Sequence, residues 1–426
     1  MTSPAPRSAG YQVLLTALLS LNFGFVLFDR NALDFLMPFI QPDLGLNNTE
    51  VGVLVAALSL TWALAAFGIG VVADRFGSRK RLLVLATLVF SFCSFGSGIA
   101  ASFTMMLVAR LVMGVAEGGV MPISQSLIAT EVSARHRGLA MGVAQGFGSS
   151  LMGSFVAPVM LAGFATAFGW RHAFFLAGVP GLLMAVLMLY FIRETDGAHT
   201  PKAPVREGGS SLRDVLAERN IILCAVLSVL LVSYLVVCWA FMPLYLTQVR
   251  KYEPKTMGWL MGTLGIGATL ASFAIPALSD RIGRRPVMIA MPLLAMILPL
   301  AALYFAGSLW GLAALFFVGW AVTGIFPLFM ATVPSESVPT RYLATALGVC
   351  MGTGEILGGV LSPVIAGYAA DQFGLHAPLW IMLGLALASG VIALGLRETA
   401  PRVRSAPGSL QLPAELVRSN RVRAEE

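Results

Sequence analysis

The sequence predicts an all-α membrane protein, twelve transmembrane helices in two pseudo-symmetric six-helix bundles, and three observations predict it. Of the 426 residues, 57% are apolar and only 12% are charged, whereas soluble domains carry about 25% charged residues. That gap excludes an ordinary soluble protein. Runs of about 20 apolar residues, enough to cross the hydrocarbon core as a helix, recur with only short polar interruptions. The two halves of the chain also repeat one another at a nearly constant offset.

Breaking the chain at charge and Gly/Pro clusters places helices near residues 12–40, 50–73, 82–101, 104–129, 138–166 and 172–192. The second half gives 220–247, 256–279, 287–306, 309–333, 343–368 and 377–396. The first run outlasts the roughly 15 apolar residues of a signal peptide, carries Asp29 and Arg30 and lacks a small-residue cleavage pattern, so it reads as a helix. The expected organisation is an N-terminal bundle over 1–193, a cytoplasmic linker over 194–219, a C-terminal bundle over 220–399 and a cytoplasmic tail over 400–426. The linker is the only long polar stretch before the tail. The tail, rich in Arg, Pro, Ser and Glu, reads as disordered.

Alternating the loops between the two sides puts 22 of the 28 Lys and Arg on the side of the termini. Only Arg171, Arg250, Lys251 and Lys255 fall opposite, and Arg30 and Arg110 lie within helices. The positive-inside rule then places both termini in the cytoplasm, and the expected location is a bacterial inner membrane. The net charge of +7 reports topology and contact with anionic lipid rather than nucleic-acid binding. Cys93, Cys224, Cys238 and Cys350 all lie in apolar runs without a CxxC pair, which argues against disulfides, and no histidine stands at ligand spacing, which argues against a metal. No nucleophile and base pair or phosphate loop is present either. An enzyme is not expected, nor a cofactor beyond coupling protons.

The repeat is extensive. Asp74, Arg75 and Gly77 return as Asp280, Arg281 and Gly283 at an offset of 206, and Gly114, Gly119, Pro122 and Glu131 as Gly319, Gly324, Pro327 and Glu336 at 205. Pro158 returns as Pro363, and Arg193-Glu194-Thr195 as Arg397-Glu398-Thr399. Six helices duplicated in parallel around a central pathway describe a transporter whose halves rock to expose one midplane site to each face in turn.

The stretch GVVADRFGSRKR (70–81) resembles the loop signature of the major facilitator superfamily, and SDRIGRRP (279–286) its second copy. The resemblance covers nearly the whole chain and implies the major facilitator fold. It implies a gating role for Gly70, Asp74, Arg75, Gly77, Asp280, Arg281 and Gly283, in which ion pairs break as the halves rock. A basic loop serving only as a topology determinant is the plainer reading.

Ionisable residues inside a membrane are rare, because a charge at the bilayer centre costs about 2.5–3.5 kcal/mol on insertion scales, and they usually face a cavity. This chain has Asp29 and Arg30 in the first helix, Arg110 and Glu117 in the fourth and Glu355 in the eleventh, with Asp34 nearer the external end. Arg110 and Glu117 are two helical turns apart and share a face, as do Asn22 and Asp29. The plainer reading is mutual neutralisation, Arg30 with Asp34 and Arg110 with a carboxylate on the first helix. Apolar packing would lock a bundle at lower desolvation cost, which favours a functional role.

FDRNALDFLMP (28–38) and VARLVMGVAEGGVMP (108–122) are similar to helices one and four of the anion:cation symporter subgroup, importers of organic anions. The resemblance implies that Arg30 and Arg110 hold a carboxylate substrate while Asp29 and Glu117 exchange protons. Independent chemistry agrees: arginine presents a permanent planar fork, and a carboxylic acid in poorly solvated surroundings can carry a proton at ordinary pH. One proton with a monoanion moves no net charge, while a second adds about 2.3 kcal/mol of drive per 100 mV. Trp62 stands where the subgroup's pattern has a tyrosine, hinting at a substrate with an apolar or ring portion. Glu355 stands where a neutral polar residue is expected, and a substrate-binding or proton-carrying role is preferred to a hydrogen bond with a neighbouring helix. Gln145, Tyr234, Trp239 and Tyr245 are weaker candidates for lining the site.

The leading expectation is a monomeric proton symporter importing a small organic anion, both arginines facing a shared hollow at the waist. Drug export by proton antiport on the same fold is the runner-up, weakened because GFGSSLMGSFVAP (146–158) lacks the Gly-Pro-rich signature of exporters. A non-transporting membrane sensor is the third reading.

Overall fold

The computed structural model describes residues 8–76, 78–133, 136–193, 212–339 and 342–400. Among them are twelve helices long and apolar enough to cross a membrane and no β-strand. The first half holds α1 (Ala9–Leu44), α2 (Asn48–Phe76), α3 (Arg79–Gly98), α4 (Phe103–Glu131), α5 (Arg137–Phe168) and α6 (Trp170–Phe191). The second holds α7 (Arg219–Val249), α8 (Pro254–Ile282), α9 (Arg284–Tyr304), α10 (Leu309–Ser337), α11 (Thr345–Phe373) and α12 (His376–Ala393). A short helix, Leu212–Leu216, precedes α7. Most of the expected linker, and the tail beyond residue 400, lie outside the described residues, as does Gly77. For Gly70, Asp74 and Arg75 only the helical backbone of α2 is described.

The helices begin where the sequence supplies caps. The side chains of Ser78, Ser102 and Ser308 accept from the amides of Arg81, Met105 and Gly311, satisfying donors that a helix start leaves open. Asn47 and Glu50 cap each other reciprocally at the start of α2, with Glu50 N to Asn47 Oδ1 at 2.7 Å and Asn47 N to Glu50 Oε2 at 2.9 Å. The repeat reaches backbone detail. Gly169 and Gly374, an offset of 205, end α5 and α11 at φ +85 and +79. Wide π-helical turns occupy Ser149–Val156 of α5 and Gly354–Leu361 of α11 at the same offset. Such turns break the regular i to i−4 ladder and recur at functional sites. α1 is itself broken between Arg30 and Ala32, where the Asn31 amide donates to the carbonyl of Gly153 on α5 at 3.0 Å. The break falls beside the charged pair Asp29-Arg30.

The two halves meet tightly at the end opposite the termini. A Cβ at Gly52 would strike the carbonyl of Pro363, one at Gly367 that of Asn48, one at Gly258 that of Pro158 and one at Gly265 that of Ser154. Backbone therefore lies on backbone between α2 and α11 and between α5 and α8. Gly265 is 11 residues into α8, so the seal extends about 16 Å inward. Asp371 of α11 closes it: its carboxylate accepts from the amides of Asn48 and Thr49 at 2.8 and 2.9 Å and from the Thr49 hydroxyl at 2.5 Å. Gln248 of α7 donates to Gln41 of α1 beside it. Replacing a carboxylate that caps a helix start costs about 1 kcal/mol. Asp371→Ala is therefore expected to shift the closed-to-open balance of this end roughly fivefold toward open, read as longer spin-label distances between the start of α2 and the end of α11.

At the other end, the second loop copy is organised around a residue outside the expected gating set. Arg284 binds Asp280 at 2.5 Å and Glu336 at 3.0 Å, and donates to Ser279 Oγ at 2.7 Å. Glu398 accepts from the backbone amides of Arg284 and Arg285. Gly283, at φ +108, leaves room for the Glu398 carboxylate that a Cβ would crowd. Asp280 therefore pairs within its own half, tying α8, α9 and α10 together, and Arg281 is exposed.

Candidate functional site

The ionisable residues of α1 and α4 come together, but they divide into a sealed tier and a reachable one. Asp29, Glu117 and Asn22 are 0% exposed and Arg110 1%. Arg30, Trp62 and Glu355 are half-buried. Arg110 is thus enclosed while Arg30 is half-buried, which corrects the expectation that both arginines face a shared hollow. The cause is packing: Arg110 reaches back under the break in α1, donating through Nη1 to the carbonyl of Arg30 at 3.2 Å, with its guanidinium 5.7 Å from the ring of Phe174 on α6.

Direct neutralisation does not occur among the described residues. Neither Arg30 nor Arg110 has a carboxylate oxygen within 4 Å there, the ion pairs lying at Arg171–Asp43 and around Arg284. Arg110 Nε and Nη2, both oxygens of Glu117, Asp29 Oδ2 and Asn22 Nδ2 are buried without a protein partner. Long-range attraction holds the group instead: Arg110 acts most strongly with Asp29, then with Glu117 and Asp34, and Glu117 is drawn to Arg30 ahead of Arg110. Buried polar atoms are ordinarily paired. So many orphans in one place leave hydrogen-bonding capacity for a proton, water or ligand to complete.

The neighbouring helices set each group. Ser94 of α3 donates to Asp29 Oδ1 at 2.7 Å, and Thr87 donates to Asn22 Oδ1 at 3.2 Å. Both pairs are separated by 65 residues, because α3 runs parallel to α1. Gly114 and Gly118 let α4 lie against the α2 backbone at Leu58 and Trp62, which sets the Trp62 carbonyl against Gly118, the residue after Glu117. The Arg30 guanidinium sits 5.4 Å from the Trp62 ring centroid, a cation–π arrangement. Glu355, in the π-helical turn of α11, is the C-terminal half's contribution, and Arg30 is the cation it interacts with. Ser59 stands beside it: a Cβ at Gly359 would lie 3.7 Å from Glu355 Oε2 and 3.8 Å from Ser59 Oγ.

The remaining candidates separate. Trp239 lies at the junction of the halves, edge-on to Phe35 of α1 at 5.5 Å and to Trp320 of α10 at 5.3 Å, one helical turn toward the sealed end from Arg30. Tyr234, expected to line the site, is instead packed within the C-terminal half, its hydroxyl donating to the Ala295 carbonyl at 2.8 Å. At the repeat offset of 205 it occupies the place of Asp29, so the second half fills with an aromatic what the first fills with an acid. Tyr245 is buried too, its ring edge-on to His376 at 5.3 Å. Gln145 lines a crevice between α1, α4 and α5 with Phe23, Met121, Ser124 and Gln125, a turn or more beyond Glu117 toward the termini. Ser94, Ser59 and Arg284 were not legible as site or gate residues.

Two six-helix halves around a charged seam define a polytopic membrane transporter. The chain matches the Major Facilitator Superfamily over residues 19–253 and 236–423, and it belongs to that family. It is 30% identical to a probable 4-methylmuconolactone transporter of Cupriavidus pinatubonensis, over 84% of this chain and 86% of that one. It is 26% identical to a probable sulfoacetate transporter of Cupriavidus necator, over 89% and 92%, and 26% identical to a quinolone resistance protein of Staphylococcus aureus, over 84% and 90%. Among solved structures, a bacterial homologue of the human lysosomal transporter Spinster superposes with a TM-score of 0.74 at 19% identity, over 91% of this chain and 96% of that one. The protein is a transporter and not an enzyme.

Proposed function

We propose that the chain imports a small organic carboxylate by proton symport through alternating access, as a monomer in a bacterial inner membrane with both termini cytoplasmic. The observation that carries this reading is a half-buried guanidinium, Arg30, beside buried acids that have no direct counter-ion among the described residues. With the site open outward, Asp29 or Glu117 takes up a proton, which frees positive potential at Arg30 for a carboxylate. The halves then rock, and anion and proton leave on the cytoplasmic side. The seal opposite the termini is what the arm of that cycle closed to the outside requires. Arg110 acts from behind, fixing the field at the acids rather than touching substrate. The relatives named for carboxylate-like substrates support the same class.

A thermal-shift screen of the purified protein against a carboxylate library at two pH values tests this. Stabilisation by carboxylates, stronger at the lower pH, is expected. Stabilisation by neutral or cationic drugs alone would remove the reading in favour of export, for which the quinolone resistance relative is the supporting observation.

A further inference from the structure

We propose that the preferred substrate is a planar-ring monocarboxylate bearing a hydroxyl group, bound across both halves: carboxylate on Arg30, ring along Trp62, hydroxyl on Glu355. The inference rests on the carboxylate-import reading and specifies its ligand. The three side chains are the half-buried ones of the cluster, on α1, α2 and α11. Arg30 is held over the Trp62 ring at 5.4 Å. A carboxylate paired with the guanidinium fork continues in the fork's plane, so a flat ring conjugated to it runs on along the indole face. A tetrahedral carbon in that position turns the rest of the molecule away and forfeits the stacking.

Glu355 sets the far end. It comes from the opposite half, interacts with Arg30 and lines, with Ser59, the space left by the missing side chain of Gly359. A carboxylate accepts hydrogen bonds and repels a second anion, so this end selects a hydroxyl donor over another carboxylate. A ligand that joins Arg30 to Glu355 also joins the two halves.

Equilibrium binding to the purified full chain tests the assignment, with pyruvate, cyclohexanecarboxylate, benzoate, the three hydroxybenzoates and terephthalate as probes. The expected result is that the best hydroxybenzoate isomer binds at least tenfold more tightly than benzoate, and benzoate more tightly than cyclohexanecarboxylate, with terephthalate weakest of the ring acids. Trp62→Leu is expected to erase the difference between benzoate and cyclohexanecarboxylate. Glu355→Met is expected to bring the hydroxybenzoate-to-benzoate ratio near one, and Glu355→Gln, which keeps an oxygen acceptor, to lower it partway. Pyruvate binding as tightly as any hydroxybenzoate, or a ratio unmoved in both Glu355 variants, overturns the ring-hydroxyl assignment while leaving carboxylate import intact. Binding of no carboxylate at all overturns both.

Discussion

Arg30→Ala is expected to abolish saturable carboxylate binding while leaving a folded protein. Arg30 is half-buried, so its removal strands no sealed partner hydrogen bond, and what is lost is the charge-assisted fork that meets the ligand. Hydrogen bonds to charged groups contribute about 1.5–3 kcal/mol each, and losing two predicts a fall in affinity of 100-fold or more. Arg30→Lys keeps the charge and loses the fork, so its affinity should fall between the two. Arg110→Ala behaves differently, because that side chain is enclosed and Asp29 is the buried acid that acts on it most strongly. Breaking a buried charge arrangement from one side costs about 3–5 kcal/mol. The loss should therefore appear in the melting temperature and yield before it appears in ligand affinity. Calorimetric titration and thermal unfolding of the two variants separate the roles. Normal binding by folded Arg30→Ala would remove Arg30 from the substrate site.

What could be read from the sequence, and what could not, divides along a physical line. Hydropathy, caps and glycines act locally, so the twelve spans and the doubling of the chain were legible, down to Pro158 and its mate Pro363. The charges of α1 and α4 were legible as a group because a membrane makes each one conspicuous. Their division into sealed and reachable tiers was not. It depends on the break at Asn31 and on the approach of Phe174 and of the Arg30 carbonyl to Arg110, contacts between helices far apart in sequence. Ser94 was hidden for the same reason, since nothing near residue 94 announces a partner 65 positions earlier. Tyr234 was misplaced because a polar aromatic in an apolar helix reads as a ligand contact until its hydroxyl is seen on Ala295. Arg284 lay in plain view within a basic loop, and only the fold of α8, α9 and α10 picks it out from Arg281 and Arg285.

Glu117→Gln is expected to keep substrate exchange and lose accumulation driven by a pH gradient. Of the two acids assigned to coupling, Asp29 is held by the Ser94 hydroxyl, whereas neither oxygen of Glu117 has a partner among the described residues. Arg30, the cation that meets the ligand, is also the charge that acts most strongly on Glu117. A proton on Glu117 and an anion on Arg30 therefore favour each other, and binding linkage makes that preference reciprocal. Glutamine keeps the side chain's length and mimics the protonated acid without being able to release a proton. A carrier locked in that form still rocks with anion bound, so counterflow of labelled substrate into liposomes preloaded with unlabelled substrate should persist. Net uptake has no proton to follow, and an imposed inward pH gradient should then leave internal substrate no higher than external. Asp29→Asn under the same gradient gives the comparison, with its Ser94 contact able to survive through the amide oxygen. Gradient-driven accumulation that persists in Glu117→Gln and vanishes in Asp29→Asn would transfer the coupling role to Asp29.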